Sequence, residues 1–201
     1  MLICTAMGYA QADCGTAIPV CTDANSEGVV RGYGIDDFYG EPNSGCLQAG
    51  GVNTTTVEQN SYWFRVKMAA SGQFGFNIIP NDPLEDWDFA VYGPDDTCGA
   101  FTSPIACNYR GARGYTGVGE SPTGDNTAYE DWMNVNLGEE YYILVNQYDG
   151  DNAGFSIEFV GDIFTSNPQA LDCSILVDLQ GDKKECEGST VTLNATAFGN
   201  N

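Results

Sequence analysis

The chain has 201 residues, with 28 acidic against 7 basic side chains, eight cysteines, no histidine and a formal net charge of −21. So few cations argue against a nucleic-acid partner or an anionic lipid surface, because both are bound through Lys and Arg. Without histidine there is no Ser-His-Asp or Cys-His catalytic arrangement and no imidazole metal ligation.

Residues 1–12, MLICTAMGYAQA, are uncharged and end in Ala10-Gln11-Ala12, a signal-peptidase type of site that would place the mature start at Asp13. The basic n-region is missing and the apolar run is short, and an ordinary buried N-terminal strand is the alternative. No other stretch approaches the ~20 apolar residues of a membrane span. Export predicts disulfides among the cysteines that remain after Cys4. The expected pairs are Cys98 with Cys107 across a short loop, Cys21 with Cys46, and Cys14 with Cys173 across the domain ends, leaving Cys186 over. Spacing alone does not determine this connectivity.

Residues 22–60 are polar and glycine-rich with weak strand signals. From Ser61 the apolar period is two: Tyr62, Phe64, Val66 and Met68; then Phe74, Phe76 and Ile78; later Met133, Val135 and Leu137; and last Phe155, Ile157 and Phe159. Turn residues such as Ser71-Gly72, Asn81-Asp82-Pro83 and Gly93-Pro94 bound these runs. The pattern predicts an all-β domain over residues 13–162, an antiparallel, jelly-roll-like β-sandwich. Residues 163–176 read as a linker. Residues 177–201, with Val191, Leu193 and Ala195 alternating, read as the start of an immunoglobulin-like or PKD-like module.

The acidic run Asp82, Glu85, Asp86, Asp88 leads into the strand Phe89-Ala90-Val91-Tyr92. On a strand, Asp86 and Asp88 share one face, with Trp87 and Phe89 on the other. Carboxylates that close repel, and a hard dication with oxygen ligands would relieve them. The expected calcium ligands are Asp82, Asp86 and Asp88, joined by Asp149 and Asp151 from a second acidic loop; residues Glu120 to Asp125 are another source. The competing reading is that these acids solvate loop tips. A glycosidase pair is a further alternative, but its separation is not readable from sequence. Ser61 and Ser156 have no histidine base, no nucleophile stands out, and the expectation is a non-enzyme.

The long segment 94–131 carries Tyr109, Tyr115 and Asn126, the expected ligand-binding residues, since tyrosines beside Asn and Asp can stack on sugar faces. The three tryptophans are expected in the core, the commoner fate of large aromatics.

The order DCGTAIPVC, GCLQAG, SYWFRV, SGQFGFNIIP, DWDFAVYGP, CGAFTSPIAC with NYRG and YTG, then GEEYYILVNQY and FSIEFVGD resembles β-sandwich modules near the N-termini of large secreted Bacteroidetes (Flavobacteriia) surface proteins. Those are similar to gliding-motility-associated adhesins exported by the type IX secretion system. The D-x-D-F strand also looks distantly like pre-peptidase C-terminal domains. The resemblance covers residues 13–162. It implies a secreted cell-surface adhesion module binding a glycan or protein, or copies of itself in a surface filament; an ancillary domain of a secreted hydrolase is the other class.

Overall fold

The computed structural model describes residues 11–21, 26–28, 32, 34–35, 37–38, 46–47, 58, 60–148 and 153–174. The expected signal segment, apart from Gln11 and Ala12, and the expected module at 177–201 lie outside these residues, as do Cys4 and Cys186. Gln11 is part of the sandwich: its carbonyl accepts the Trp63 N–H at 2.9 Å.

Each period-two run forms a strand. In chain order the described elements are β1 (Ile18–Val20), β2 (Ser26–Gly28), β3 (Ser61–Lys67), β4 (Gly72–Pro80), β5 (Trp87–Tyr92), β6 (Ala106–Asn108), β7 (Thr116–Val118), β8 (Tyr129–Glu130), β9 (Met133–Val135), β10 (Glu140–Gln147) and β11 (Phe155–Val160), then the short helix α1 (Asp162–Ser166). One sheet has the order β1-β3-β10-β5-β6, the other β2-β11-β4-β7-β8, with β9 also beside β4. Strands β7 and β9 sit end to end on one edge of β4, opposite residues 76–78 and 72–74. The expected all-β sandwich is present, with mixed sheets, because β1 runs parallel to β3 and β7 parallel to β8.

The main core fills the space between the sheets. It takes Tyr62, Phe64 and Val66 from β3, Phe74, Phe76 and Ile78 from β4, Trp87, Phe89 and Val91 from β5, and Phe155, Ile157 and Phe159 from β11. Each such side chain contributes about 1.5–3 kcal/mol by leaving water. Alternation along β9 stops at Val135, and Leu137, expected in that run, is exposed in the turn beyond it.

The first sheet is also covered on its outer face. Trp63, Ala90, Tyr92, Tyr142 and Leu144 point that way and pack with Cys14, Ala17, Phe38, Leu47 and Phe101. The Trp63 and Phe101 rings stack with centroids 5.1 Å apart and planes 10° apart.

Two disulfides hold this cover, and neither is an expected pair. Cys14 is bonded to Cys98 and Cys46 to Cys107, with Cα atoms 5.5 and 6.1 Å apart. The pairings Cys98–Cys107, Cys21–Cys46 and Cys14–Cys173 are therefore corrected. The physical reason is that Cys107 lies on β6 facing the outer cluster, whereas Cys98 lies in the loop before it, beside the Cys14 turn. Cys21 and Cys173 are free thiols.

The stretch read as a linker belongs to the domain at least as far as Ser174. Ile163, Ala170 and Leu171 are buried in the main core, Leu171 bridges to Met68, and Lys67 pairs with Asp172 at 3.0 Å. Its polar composition reflects an outward side only.

Candidate functional site

Three segments meet at one end of the sandwich, at the start of β5. The first is the acidic turn 82–88. Its Asp82 Oδ1 accepts the Leu84 N–H at 2.9 Å and its Asp82 carbonyl accepts the Glu85 N–H at 3.1 Å, so the chain reverses here on an aspartate-closed turn. The second is the 109–115 loop between β6 and β7. Residues Asp86 and Arg113 form an antiparallel bridge, the Arg113 guanidinium donates to the Leu84 carbonyl at 2.6 Å, and the Gly114 N–H donates to the Glu85 carbonyl at 3.3 Å. The third leaves β10 at Tyr148 and returns at Ala153. The Tyr148 N–H donates to the Asp86 carbonyl at 3.1 Å, and the Ala153 N–H donates to Glu85 Oε1 at 2.6 Å.

This arrangement brings together several residues singled out in the sequence. Asp86 and Asp88 do share a face, with Trp87 and Phe89 turned into the main core on the other. They are only 8% and 7% exposed, so they are not loop-tip acids. Asp88 lies opposite Asn146 of β10, which lies opposite Ser61 of β3, making a polar row across three strands beside the aromatic cover. Asp82 sits on the exposed turn; one of its carboxylate oxygens closes that turn. Asp149 and Asp151 lie outside the described residues.

The 109–115 loop presents Tyr109 at its start, 59% exposed, and Tyr115 at its end; Tyr148 is exposed on the neighbouring segment. Asn126 Oδ1 accepts the Ser121 N–H at 2.8 Å, which closes the 121–126 loop.

Two buried glutamates hold indole N–H groups, Glu85 at this end and Glu58 in the neighbouring cover; the sequence marked Glu85 only as part of the acidic run and did not mark Glu58. Glu85 Oε2 accepts the Trp87 indole N–H at 3.0 Å while Oε1 accepts Ala153. Glu58 Oε1 accepts the Trp63 indole N–H at 2.8 Å and Oε2 accepts the Asp37 N–H at 2.8 Å. Burial, reinforced by the Asp37 charge, pushes the Glu58 carboxyl up to about 8 despite those bonds. A glutamate two residues before one tryptophan and five before another is the sequence trace of these contacts, too common a spacing to have been informative.

Among the described residues, one set of three Cys, Asp or Glu side chains gathers its ligand atoms within 4.8 Å of one another: Cys14, Asp37 and Cys98. Two of those sulfurs are bonded to each other. The Asp37 carboxylate there accepts the Cys14 N–H at 2.6 Å and so anchors the cover.

Where residues of both sheets come together near β8 and β9, a cleft of about 370 Å³ is lined by Glu130, Asp131, Trp132, Asn134, Ile105 and Tyr141, among others. Trp132 lies flat on the backbone at Gly75 and Gly119. A Cβ at either position would come within 2.9 Å of its ring, and Gly119 has φ of +107°, so both glycines make room for it. Of the three tryptophans, Trp63 and Trp87 are buried as expected and Trp132 is half-buried.

No family model matches the chain, and no curated protein matches it in sequence. Among solved structures it is similar to the pre-peptidase C-terminal domain of a collagenase from Bacillus anthracis, at 10% identity over 72% of this chain and 94% of that one, with a TM-score of 0.41. It is also similar to CorA, a surface-associated copper-binding protein of Methylomicrobium album BG8, at 11% identity over 72% and 97%, with a TM-score of 0.39. A family 35 carbohydrate binding module from an environmental isolate matches at 15% identity over 69% and 85%, with a TM-score of 0.28.

Proposed function

We propose that this domain is an exported, non-catalytic binding module whose ligand end is built by residues 82–88 and 109–115 together with Tyr148 and Ala153. The observation that carries the reading is the meeting of those segments at the start of β5, where Asp86 and Asp88 are buried and the same segments carry exposed Tyr109, Tyr115 and Tyr148. Loops on a rigid scaffold are where recognition concentrates, and tyrosines supply contact area at low entropic cost. Two disulfides fit an oxidising compartment. The buried glutamates Glu58 and Glu85 hold indole and backbone N–H groups, a structural use that supports a non-catalytic role.

Calcium belongs to this reading. Asp86 and Asp88 would be its first ligands, and Asp82, Asp149 and Asp151 the acids that would complete the set. The finer identity, a module of a large Bacteroidetes surface adhesin, rests on the sequence resemblance, and a surface glycan is the ligand class that the tyrosine rim favours.

A glycan array probed with the full chain in millimolar calcium tests it. Retention on a subset of glycans, reduced at least about tenfold by Tyr109→Ala and by Tyr148→Ala with unfolding temperature unchanged, is the expected result, because exposed substitutions cost little stability. A flat array, or retention indifferent to both substitutions, overturns this site and favours a contact between copies of the chain.

A further inference from the structure

Strand β1 ends at Val20, paired in parallel with Val66 on one edge of β3. Farther along that same edge, residues 170–172 take over. The Ala69 N–H donates to the Ala170 carbonyl at 2.7 Å, Leu171 bridges to Met68, and the Asp172 N–H donates to the Lys67 carbonyl at 2.8 Å. From Phe64 to Ala69 this edge is therefore covered by two segments distant in sequence, and the next residue of each is a cysteine. Cys173 Sγ lies 3.3 Å from the Cys21 carbonyl oxygen. The Lys67 ammonium holds this place, 3.0 Å from Asp172 and 3.3 Å from Ser174 Oγ.

The other described cysteines, Cys14, Cys46, Cys98 and Cys107, are already bonded, which leaves these two thiols side by side. Cys173 is exposed and Cys21 half-buried. Burial, then a hydrogen bond with Cys173, push the Cys21 thiol up to about 11. Cys173 is thus the sulfur that meets a reagent from solvent first, and Cys21 is the resolving partner.

We propose that Cys21 and Cys173 close a third disulfide when the chain meets a disulfide oxidant, clamping the last segment of the sandwich to β1. The Cys173 thiolate attacks the oxidant disulfide, forms a mixed disulfide and releases one thiol. Cys21 then gives its proton to solvent, its sulfur attacks Cys173 Sγ, and the second oxidant thiol leaves. Two protein thiols are oxidised and one external disulfide is reduced to two thiols. The bond ties Cys21 to a position 152 residues later, where the domain passes into the chain beyond Ser174. It does not depend on what the loop end binds.

The test uses the full chain and oxidised glutathione, followed by alkylation without reduction and tryptic digestion. Cleavage after Arg113 and Lys183 gives a peptide in which Cys173 is the sole cysteine. In the wild type that peptide is expected to be recovered only in disulfide linkage to the peptide that carries Cys21, and in Cys21→Ser to be released as a single peptide, alkylated or carrying glutathione, with the oxidised wild type melting about 5 °C or more above the variant. A wild-type Cys173 peptide that is released alkylated or with glutathione alone, or one cross-linked to another peptide of the chain in Cys21→Ser, overturns the proposal. Should Cys21→Ser fail to fold, Cys173→Ser decides by count of free plus glutathionylated cysteines in denaturant: one more than the oxidised wild type supports the bond, and one fewer rejects it.

Discussion

The indole N–H of Trp63 donates a 2.8 Å hydrogen bond to Glu58, a carboxyl with no exposed surface. Trp63 faces away from the main core, among Phe38, Tyr92, Phe101 and Tyr142, and this bond satisfies the one polar atom of its ring. Glu58 thereby becomes the polar anchor of the cover over the first sheet. It holds Asp37 as well, and Asp37 in turn holds Cys14.

Stability should fall with rising pH through this group. The Glu58 carboxyl is pushed from 4.5 to about 8 by burial, so between those values the folded chain holds a proton that the unfolded chain has released. The stabilisation is complete below pH 4.5 and is lost as pH rises through 8. At about 1.4 kcal/mol per unit it amounts to a few kcal/mol. In Glu58→Gln the slope of melting temperature between pH 5 and 8 should flatten, at a cost of about 1–2 kcal/mol at pH 5 for the N–H of Asp37 facing an amide. Self-repulsion of the net charge acts on both proteins, and parallel slopes would show that Glu58 is not the titrating group.

Reduction should loosen the cover before the sandwich. Cys46→Ser with Cys107→Ser removes the bond between Leu47's neighbour and β6, and is expected to cost about 2–4 kcal/mol. Tryptophan emission should shift to the red as Trp63 gains water, while far-ultraviolet strand signal persists. Loss of both signals in one step would make the two cores a single cooperative unit.

A hydrogen-bond relay on the second sheet gives a milder test. Tyr129 lies over Gly117, its hydroxyl donates to Asn77 Oδ1 at 2.9 Å, and Asn77 Nδ2 donates to Glu158 Oε2 at 3.2 Å. Tyr129→Phe should cost about 1–2 kcal/mol, because it strips a buried amide oxygen of its donor. Chemical denaturation reads this as a lower midpoint at unchanged slope.

Calcium should raise the melting temperature. Bound at a hundred times its dissociation constant it would contribute about 2.7 kcal/mol, or roughly 5–10 °C for a domain of this size. Asp86→Asn with Asp88→Asn should abolish the difference between calcium and chelator. Coincident unfolding curves of the wild type in calcium and in chelator would remove the metal from the proposal and leave both acids to their protein contacts.

Much of the sandwich is legible in the spacing of its aromatics. Phe74, Phe76 and Ile78 alternate with Gly75 and Asn77, and the structure puts the first set in the core and the second on the outer side, where Trp132 and Tyr129 lie over the strand. The shared face of Asp86 and Asp88 follows from the same two-residue period. The burial of that face does not, because the 109–115 loop and Tyr148 meet the start of β5 only in three dimensions. Residues 163–174 read as a linker because Thr165 to Gln169 are polar, yet Ile163, Ala170 and Leu171 on either side are enough to hold the segment down.

By itself the sequence determined an all-β chain, the strands that carry it, and which residues of each strand share a face, because side chains on a strand alternate whatever surrounds them. Which faces are covered, and by what, was decided in tertiary structure. Phe38 and Phe101 close over Trp63 from opposite directions along the chain, and Cys14 finds Cys98 rather than Cys173 because the cover brings those two sulfurs together. Pairing of cysteines and burial of carboxylates depend on distances between segments remote in sequence, and no local period encodes those distances.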